Sequence, residues 1–163
     1  MIQIEGRMNG TERDTGFADL HNHVIPEVDD GSRSLEESLE SLRDFHEEGV
    51  AVLVATPHLY LQFLDDETQL TGRMHQLKRA FERLEAAMPA GASMPELGFG
   101  QEVCAHHEAA VRRVVDRSDV GLGGTSFLLI EFGFALEGDP ESVIRAVHQA
   151  GRRIVIAHPE RYR

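Results

Sequence analysis

At 163 residues the chain has the length of one domain, and its 41% hydrophobic and 27% charged residues are usual for a folded protein. Its formal net charge of −12 argues against broad binding to nucleic acids or anionic membranes. No apolar run reaches the ~18–20 residues of a transmembrane helix, and the single cysteine, Cys104, cannot form an internal disulfide. We therefore expect a cytoplasmic protein without membrane insertion.

The first 16 residues differ from the rest because they are polar and show no periodicity. Ile4-Glu5-Gly6-Arg7 resembles a protease recognition site used in expression vectors, with Met8 after it as an alternative start. An ordinary flexible terminus is the second interpretation. In both cases we expect a flexible leader over residues 1–16 and one folded domain over residues 17–163.

The first part of this domain alternates predicted strands and helices. Residues 17–20 predict a strand, and Ser34 then opens a capping box for a helix that ends at Gly49. The apolar run over residues 50–55 predicts a buried parallel strand. Residues 65–88 carry apolar side chains three and four positions apart, which predicts one long amphipathic helix.

The second part continues the alternation. We predict strands over residues 97–103, 127–130 and 154–157, and helices over residues 105–116 and 140–150. Five strands separated by helices indicate an α/β protein with a parallel sheet, either open or closed into a barrel.

Side chains able to bind metals lie at the carboxyl end of each predicted strand. His21 and His23 follow the first strand and His58 follows the second, whereas Glu102, Glu131 and His158 end the third, fourth and fifth. Residues two apart in an extended segment point to one face, so the first two imidazoles can converge on one ion. A single histidine at a strand end is more often structural, but five strands in succession are hard to explain in that way. Because active sites assemble at the carboxyl ends of parallel strands, we expect one metal site there.

Other residues refine the chemistry of this site. Asp30, in the Asp29-Asp30-Gly31 segment, adds a carboxylate, although that sequence alone is typical of a turn. Nitrogen and oxygen ligands favour manganese, iron or zinc in a hydrolytic role, and several carboxylates suggest more than one ion. Arg161 can bind a phosphate through its planar guanidinium, although such an arginine is more often solvated.

Cysteine-dependent phosphate chemistry fits this sequence poorly. A cysteine-nucleophile phosphatase loop needs an arginine six residues after the cysteine, and the residue six positions after Cys104 is Ala110. The sequence therefore favours metal-dependent hydrolysis.

Taken in order, the motifs resemble one family. They are Asp19-Leu20-His21-Asn22-His23, Asp29-Asp30-Gly31, Ala55-Thr56-Pro57-His58, Gly100-Gln101-Glu102-Val103, Leu129-Ile130-Glu131-Phe132 and Ile156-Ala157-His158-Pro159-Glu160-Arg161-Tyr162. The set resembles the manganese-dependent tyrosine phosphatases of the polymerase-and-histidinol-phosphatase (PHP) superfamily, which are encoded with bacterial capsule and exopolysaccharide genes. The His-x-His opening is shared across the superfamily, whereas the last motif is more specific to the tyrosine phosphatases.

The resemblance implies a distorted TIM-like barrel and phosphomonoester hydrolysis by a metal-activated hydroxide, without a covalent phospho-enzyme. A complete site would hold two to three ions, manganese or alternatively iron or zinc. His21 and His23 would hold a first metal, Glu102 would bridge it to a second held with Glu131 and His158, and Asp30 and His58 would hold a third. Arg161 would contact the phosphate, so the predicted catalytic residues are Arg161, Glu102 and His158.

The chain departs from the family pattern at its carboxyl end. Relatives continue to a Ser-Asp-x-His segment that supplies further ligands to the first and third metals, whereas this chain stops at Arg163. We expect either a fragment or a natural short form, with the barrel incomplete at its carboxyl terminus. A partial parallel sheet leaves an open edge, which predicts a homo-oligomer formed by dimerisation or strand exchange.

The resemblance also implies a substrate and a setting. We expect a phosphotyrosine protein, the tail of a bacterial tyrosine kinase, dephosphorylated in the regulation of capsule or exopolysaccharide synthesis. Another phosphomonoester, such as histidinol phosphate, stays open as an alternative. A second alternative is an inactive metal-binding module that regulates polysaccharide export by binding a partner.

Overall fold

The computed structural model describes residues 16–133, 136 and 138–162. Within them the strands are β1 (Phe17–Asn22), β2 (Val50–Ala55), β3 (His58–Leu59), β4 (Glu96–Phe99), β5 (Glu102–Cys104), β6 (Phe127–Glu131) and β7 (Arg153–Ile156). The helices are α1 (Leu35–Glu47), α2 (Leu61–Leu64), α3 (Glu67–Ala87), α4 (Glu108–Arg112) and α5 (Pro140–Gln149), and a 3-10 turn (Pro159–Arg161) follows β7. The predicted leader, apart from Gly16, lies outside the described residues, so the domain boundaries stay predictions.

Every strand pair in the described residues is parallel, which confirms the α/β prediction. One sheet has the order β1-β2-β4 and the other has the order β3-β5-β6-β7. The two sheets meet without a change of register, since Ala55 pairs with Phe99 and, three residues further along each strand, His58 pairs with Glu102. The described strands do not form a closed sheet, so the TIM-like closure stays a prediction.

The strand predicted over residues 97–103 is in fact two strands, separated by Gly100 and Gln101. Pro57, opposite this break, has no N–H to donate, although its carbonyl still accepts the N–H of Glu102 at 3.1 Å. Gln101 is 1% exposed and its side chain accepts the N–H of Gly121 at 3.1 Å. The Gly100 N–H also donates to the carbonyl of Ala55 at 2.8 Å, so backbone hydrogen bonds continue on both sides of the break. Glu102, predicted at a strand end, therefore lies at the start of β5.

Two predicted helices differ from the structure at their ends. The segment predicted over residues 105–116 is helical only over α4, because His107 caps it by accepting the Ala110 N–H on Nδ1 at 3.3 Å. The long helix begins at Glu67, after the cap of Asp66, and the short helix α2 precedes it. The capping box of α1 is present, with Ser34 Oγ accepting the Glu37 N–H at 3.1 Å.

Apolar side chains from the helices cover the strands and fix the edge at which they end. The largest buried cluster includes Leu59 on β3, Val103 on β5 and Ile130 on β6, each fully buried. A second cluster joins Leu42 of α1, Leu53 of β2 and Phe81 of α3. Burial of each such side chain contributes about 1.5–3 kcal/mol to the stability of the fold. The packing of these clusters therefore stabilises the arrangement in which the strands end at one edge.

None of the helices in the described part of the chain has both the length and the apolar character that crossing a bilayer requires.

Candidate metal centre

Glu102 lies at the centre of a group of imidazoles. Its carboxylate is 1% exposed, and its Oε1 lies 3.1 Å from His21 Nε2 and 3.0 Å from His158 Nε2. Its Oε2 lies 3.3 Å from His23 Nε2 and 3.0 Å from His58 Nδ1. One buried carboxylate thus faces nitrogen atoms delivered by β1, β3 and the segment after β7.

The two histidines of the first motif converge as their spacing predicts. His21 lies within β1, which is longer than predicted, and His23 follows the strand. The pairing of β1 with β2 is irregular between Asp19 and Asn22, and the two imidazole centroids are 5.5 Å apart. This irregular strand end lets both Nε2 atoms reach the same carboxylate.

His58 connects the buried carboxylate to the loop after β1. Its position is different from the predicted one, since it begins the separate strand β3 instead of following β2. The ring lies between His23, at a centroid distance of 4.5 Å, and Tyr60, which stacks on it at 4.7 Å. His58 Nε2 lies 3.4 Å from Oδ1 of Asp30, whose side chain is exposed. The predicted loop carboxylate therefore reaches the centre from its solvent side.

Glu131 and His158 close the opposite side. Glu131 is the last residue of β6, as predicted, and its Oε1 lies 3.5 Å from His158 Nε2. His158 adopts a left-handed backbone conformation with φ +30° and ψ 57°, directly before Pro159. Such a conformation is unfavourable for a residue with a Cβ and is disfavoured before proline. The fold therefore supports a strained backbone at the point where this imidazole enters the site.

The four imidazoles, Asp30 and Glu102 line an open cavity of about 400 Å³, which Arg161 also lines. Arg161 is in the 3-10 turn after His158 and is exposed. A larger cavity of about 510 Å³ lies between α3 and β4, but it contains none of the predicted site residues. The smaller cavity is the candidate site, because the carboxylate, the imidazoles and a guanidinium line it together.

The charges of the centre are strongly coupled. Burial opposes the ionised form of Glu102, but the neighbouring imidazoles of His21, His23 and His58 hold its pKa well below the ordinary range. Burial also opposes the charged form of His23, yet contacts with Asp29 and Glu102 raise its pKa to about 10. The pKa of His58 is raised in the same way, against its burial, by Glu102. Without a metal, the protonated imidazole of His23 balances part of the charge of the buried carboxylate.

The donor set fits divalent cations. The buried atoms Glu102 Oε2, His58 Nδ1 and His158 Nδ1 have no hydrogen-bond partner among the described residues, although the first two atoms are only 3.0 Å apart. Three groups of side chains have ligand atoms within 4.8 Å of one another: His21, His23 and Glu102; His23, Asp30 and His58; His58, Glu102 and Glu131. Unpaired buried polar atoms are costly, and a cation between them would satisfy the carboxylate and the imidazoles together.

Two residues of the centre were missed by the sequence analysis. Asp29 was noted only as part of a turn motif, but its side chain is fully buried and accepts a hydrogen bond from His23 Nδ1 at 2.8 Å. Arg73 lies within the predicted amphipathic helix, and its side chain reaches the carbonyl of His58 at 3.0 Å. The doubled aspartate was the available signal for Asp29, because a simple turn needs only one of the two carboxylates.

Cys104 lies beside the centre without the character of a nucleophile. Burial raises the pKa of its thiol to about 11, and the nearby carboxylate of Glu131 adds to this shift. Its Sγ lies 3.2 Å from His106 Nε2. A thiol with such a raised pKa is protonated at neutral pH, which agrees with the absence of a cysteine-phosphatase loop.

Comparisons with known proteins find similarity along nearly the whole chain. A family model described as "Capsular polysaccharide synthesis, CpsB/CapC" matches residues 17–163. A putative tyrosine-protein phosphatase CapC of Staphylococcus aureus is 28% identical over 89% of the chain, and a tyrosine-protein phosphatase CpsB of Streptococcus agalactiae is 26% identical over 88% of it. The chain spans 54% and 57% of the lengths of these two relatives.

A solved structure is also similar. It comes from work on YwqE of Bacillus subtilis and CpsB of Streptococcus pneumoniae, described as unique metal-dependent tyrosine phosphatases. The TM-score is 0.58 and the identity 25%, over 90% of this chain and 57% of that one.

Proposed function

Because the chain belongs to the CpsB/CapC family of capsular polysaccharide synthesis, we propose that it hydrolyses phosphotyrosine in proteins with the help of divalent metal ions. The observation that carries this proposal is the carboxylate of Glu102, buried at 1% exposure and faced by four imidazoles at 3.0–3.3 Å. Buried clusters of this composition are typical of metal-dependent hydrolases that act on phosphate esters.

The residues that would hold the ions are those of the three groups of potential ligands, together with His158. His21 and His23 would share one ion with Glu102, and His58 with Asp30 would hold another near the solvent. Glu131 and His158 would complete the site on the far side, where their side chains approach to 3.5 Å. When bound, such ions neutralise phosphate oxygens and lower the pKa of a bound water.

The chain's own residues would bind and orient the phosphate. Arg161 lines the cavity with the imidazoles, and its planar fork suits two oxygens of a phosphate monoester. The side chain is exposed, so it can contact a phosphate that enters from solvent. The metal ions would also contribute to phosphate binding, because the carboxylates of the site would repel a dianionic phosphate without cations beside them.

We propose manganese as the ion, and the autophosphorylated tail of a bacterial tyrosine kinase as the protein substrate, in the regulation of capsule or exopolysaccharide synthesis. Imidazole and carboxylate ligands suit manganese, and iron or zinc would also fit them. The relatives named as tyrosine-protein phosphatases support phosphotyrosine over other esters. A cytoplasmic location and a homo-oligomer stay predictions from the sequence.

A panel of substrates tests the ester class. The purified chain with added manganese would be assayed on a phosphotyrosine peptide, a phosphoserine peptide of the same sequence, and histidinol phosphate. We expect the phosphotyrosine peptide to have the highest kcat/KM. A preference for histidinol phosphate would instead assign the site to small alkyl phosphates.

A further inference from the structure

We propose that Asp29 and Arg73 are positioning residues, which hold His23, His58 and the Asp30 loop in the arrangement that receives the ions. The inference rests on the proposed function, in that it assigns a supporting pair to the same centre. Neither residue needs to touch the substrate or a metal. Each acts through the ligands that it contacts.

The side chain of Asp29 ties three parts of the centre together. Its Oδ2 accepts hydrogen bonds from His23 Nδ1 at 2.8 Å and from the His58 N–H at 2.9 Å. Its Oδ1 accepts the N–H of Gly31 at 3.0 Å. The carboxylate is fully buried, so these contacts are not shared with bulk water. One side chain therefore links the ligand after β1, the ligand of β3 and the loop that carries Asp30.

The bond to His23 has a chemical consequence for metal binding. With Nδ1 donating to Asp29, His23 presents Nε2 to the centre, and this atom lies 3.3 Å from Glu102 Oε2. A carboxylate behind a metal-binding imidazole fixes its tautomer and orientation and increases its basicity. Asp29 is thus placed to select the ring nitrogen that meets the ion.

Arg73 reaches the same segment from helix α3. It is 6% exposed, and its Nη2 donates to the carbonyl of Val28 at 2.9 Å and to the carbonyl of His58 at 3.0 Å. Asp29 binds the N–H of His58 while Arg73 binds its carbonyl, so both peptide groups beside this ligand are fixed. The guanidinium also stacks over Phe63, with Cζ 5.3 Å from the ring centroid. The long helix therefore clamps the loop of Asp29 to β3.

The interactions of these two residues are sensitive to conservative replacement. Asparagine at position 29 would keep the shape but lose the charge, and its amide would face one of three N–H donors. Lysine at position 73 would keep the charge but lose the planar guanidinium, whose Nη2 binds both carbonyls while Nη1 donates to Gln76 at 3.1 Å and the plane lies over Phe63. Asp29→Asn and Arg73→Lys are therefore the informative variants.

The first test uses the metal-free protein, so it does not depend on activity. In a 15N-labelled sample we expect a downfield ring proton on His23 Nδ1 that exchanges slowly with solvent. Asp29→Asn should increase its exchange rate at least about tenfold, while Asp44→Asn, an exposed change of the same kind on α1, should not. A wild-type protein without this protected proton would overturn the proposal.

The second test measures binding of Mn²⁺ alone by calorimetry. Loss of a residue behind a metal ligand typically costs 10–100-fold in metal affinity, and we expect that range for Asp29→Asn and for Arg73→Lys. The matched controls Asp44→Asn and Arg79→Lys, both at exposed positions, should bind as the wild type does. Circular dichroism of the metal-free variants separates this effect from unfolding.

The outcomes are distinct. An unchanged Mn²⁺ affinity in both variants overturns the proposal, and so does a loss of affinity that only matches the fraction of unfolded protein. If the wild type binds no Mn²⁺, the proposed function fails, and the ring proton of His23 alone decides the positioning role. If Asp29→Asn does not fold, Arg73→Lys decides the binding test.

Discussion

His158 Nε2 lies 3.0 Å from Glu102 Oε1, although 56 residues separate the two positions. The contact depends on the parallel order β5-β6-β7, which brings the start of one strand beside the end of another. It also depends on the left-handed backbone of His158, a conformation that costs on the order of 1–3 kcal/mol. The order of the strands and the left-handed backbone of His158 together place its imidazole beside the carboxylate of Glu102.

The loop after β1 leaves no room for a side chain at Gly31. A Cβ there would lie 2.1 Å from the carbonyl oxygen of His23, so Gly31→Ala must move the loop that carries Asp29 and Asp30. We expect a loss of about 2 kcal/mol or more in the free energy of unfolding, measured by thermal and urea denaturation.

A second glycine provides the control. Gly72 lies within helix α3, and a Cβ there would meet nothing within 4 Å. Gly72→Ala should therefore stabilise the protein by about 0.5–1 kcal/mol. Equal stabilities of the two variants would show that the close approach at Gly31 does not constrain the loop.

The sequence predicted the elements better than it predicted their ends. Hydrophobic periodicity identified α3 and α5, and the apolar run identified β2 with its bounds, because those patterns reflect which faces are buried. The division of residues 97–103 into two strands was missed, because the break lies opposite Pro57, between β2 and β3, and contains the buried amide of Gln101, which binds Gly121. Such contacts between distant segments have no local signature.

The site residues likewise divide into those that local sequence predicts and those that depend on contacts between distant segments. The ends of parallel strands placed the predicted ligands at one edge, and the structure brings their side chains together there. Asp29 and Arg73 were missed as supporting residues, because the contacts of Arg73 span 45 residues to Val28 and 15 to His58. A helix that clamps a loop can be recognised only once both have been placed.

The guanidinium of Arg161 should matter for substrate and not for metal. Arg161→Lys keeps the charge but loses the planar fork, so we expect kcat/KM for a phosphotyrosine peptide to fall about 10–100-fold. Mn²⁺ affinity should not change. Arg145→Lys on α5, where the arginine pairs with exposed Glu141, is the matched control. A fall in Mn²⁺ affinity equal to the fall in kcat/KM would argue against a phosphate contact.

Metal binding should release protons. His23 has its pKa raised to about 10, so it is charged at neutral pH in the metal-free protein, whereas a metal ligand must be neutral. We expect Mn²⁺ affinity to increase with pH between about 6 and 8, and calorimetry in buffers of different ionisation enthalpy to detect about one released proton or more. An affinity independent of pH, with no proton release, would contradict the expectation.

The raised pKa of His23 also predicts how the stability of the metal-free protein changes with pH. Because the pKa of His23 is raised on folding, its contribution is fully present below the ordinary value of 6.5 and is lost as pH rises toward about 10. The chelated protein should therefore lose stability over that range. Thermal denaturation at fixed ionic strength measures the trend.

The outer strands predict self-association. Within the described residues β1 and β7 each pair on one side only, and Ile156 on β7 is 38% exposed. We expect light scattering to give a mass above that of one chain, and Ile156→Lys to reduce it, because a charge on an edge strand opposes strand pairing. Gln62→Lys, at an exposed position on α2, is the control. A monodisperse monomer of the wild type would exclude this association.

The most direct test is hydrolysis of a phosphotyrosine peptide by the purified chain with added Mn²⁺, compared with a chelated sample and with His158→Ala. His158 is 10% exposed and contacts both Glu102 and Glu131, so its loss should disturb the site without exposing the core. We predict turnover that requires both the metal and His158. Turnover that survives the chelator or the substitution, or none in folded, metal-loaded protein, would contradict the assignment as a metal-dependent phosphatase.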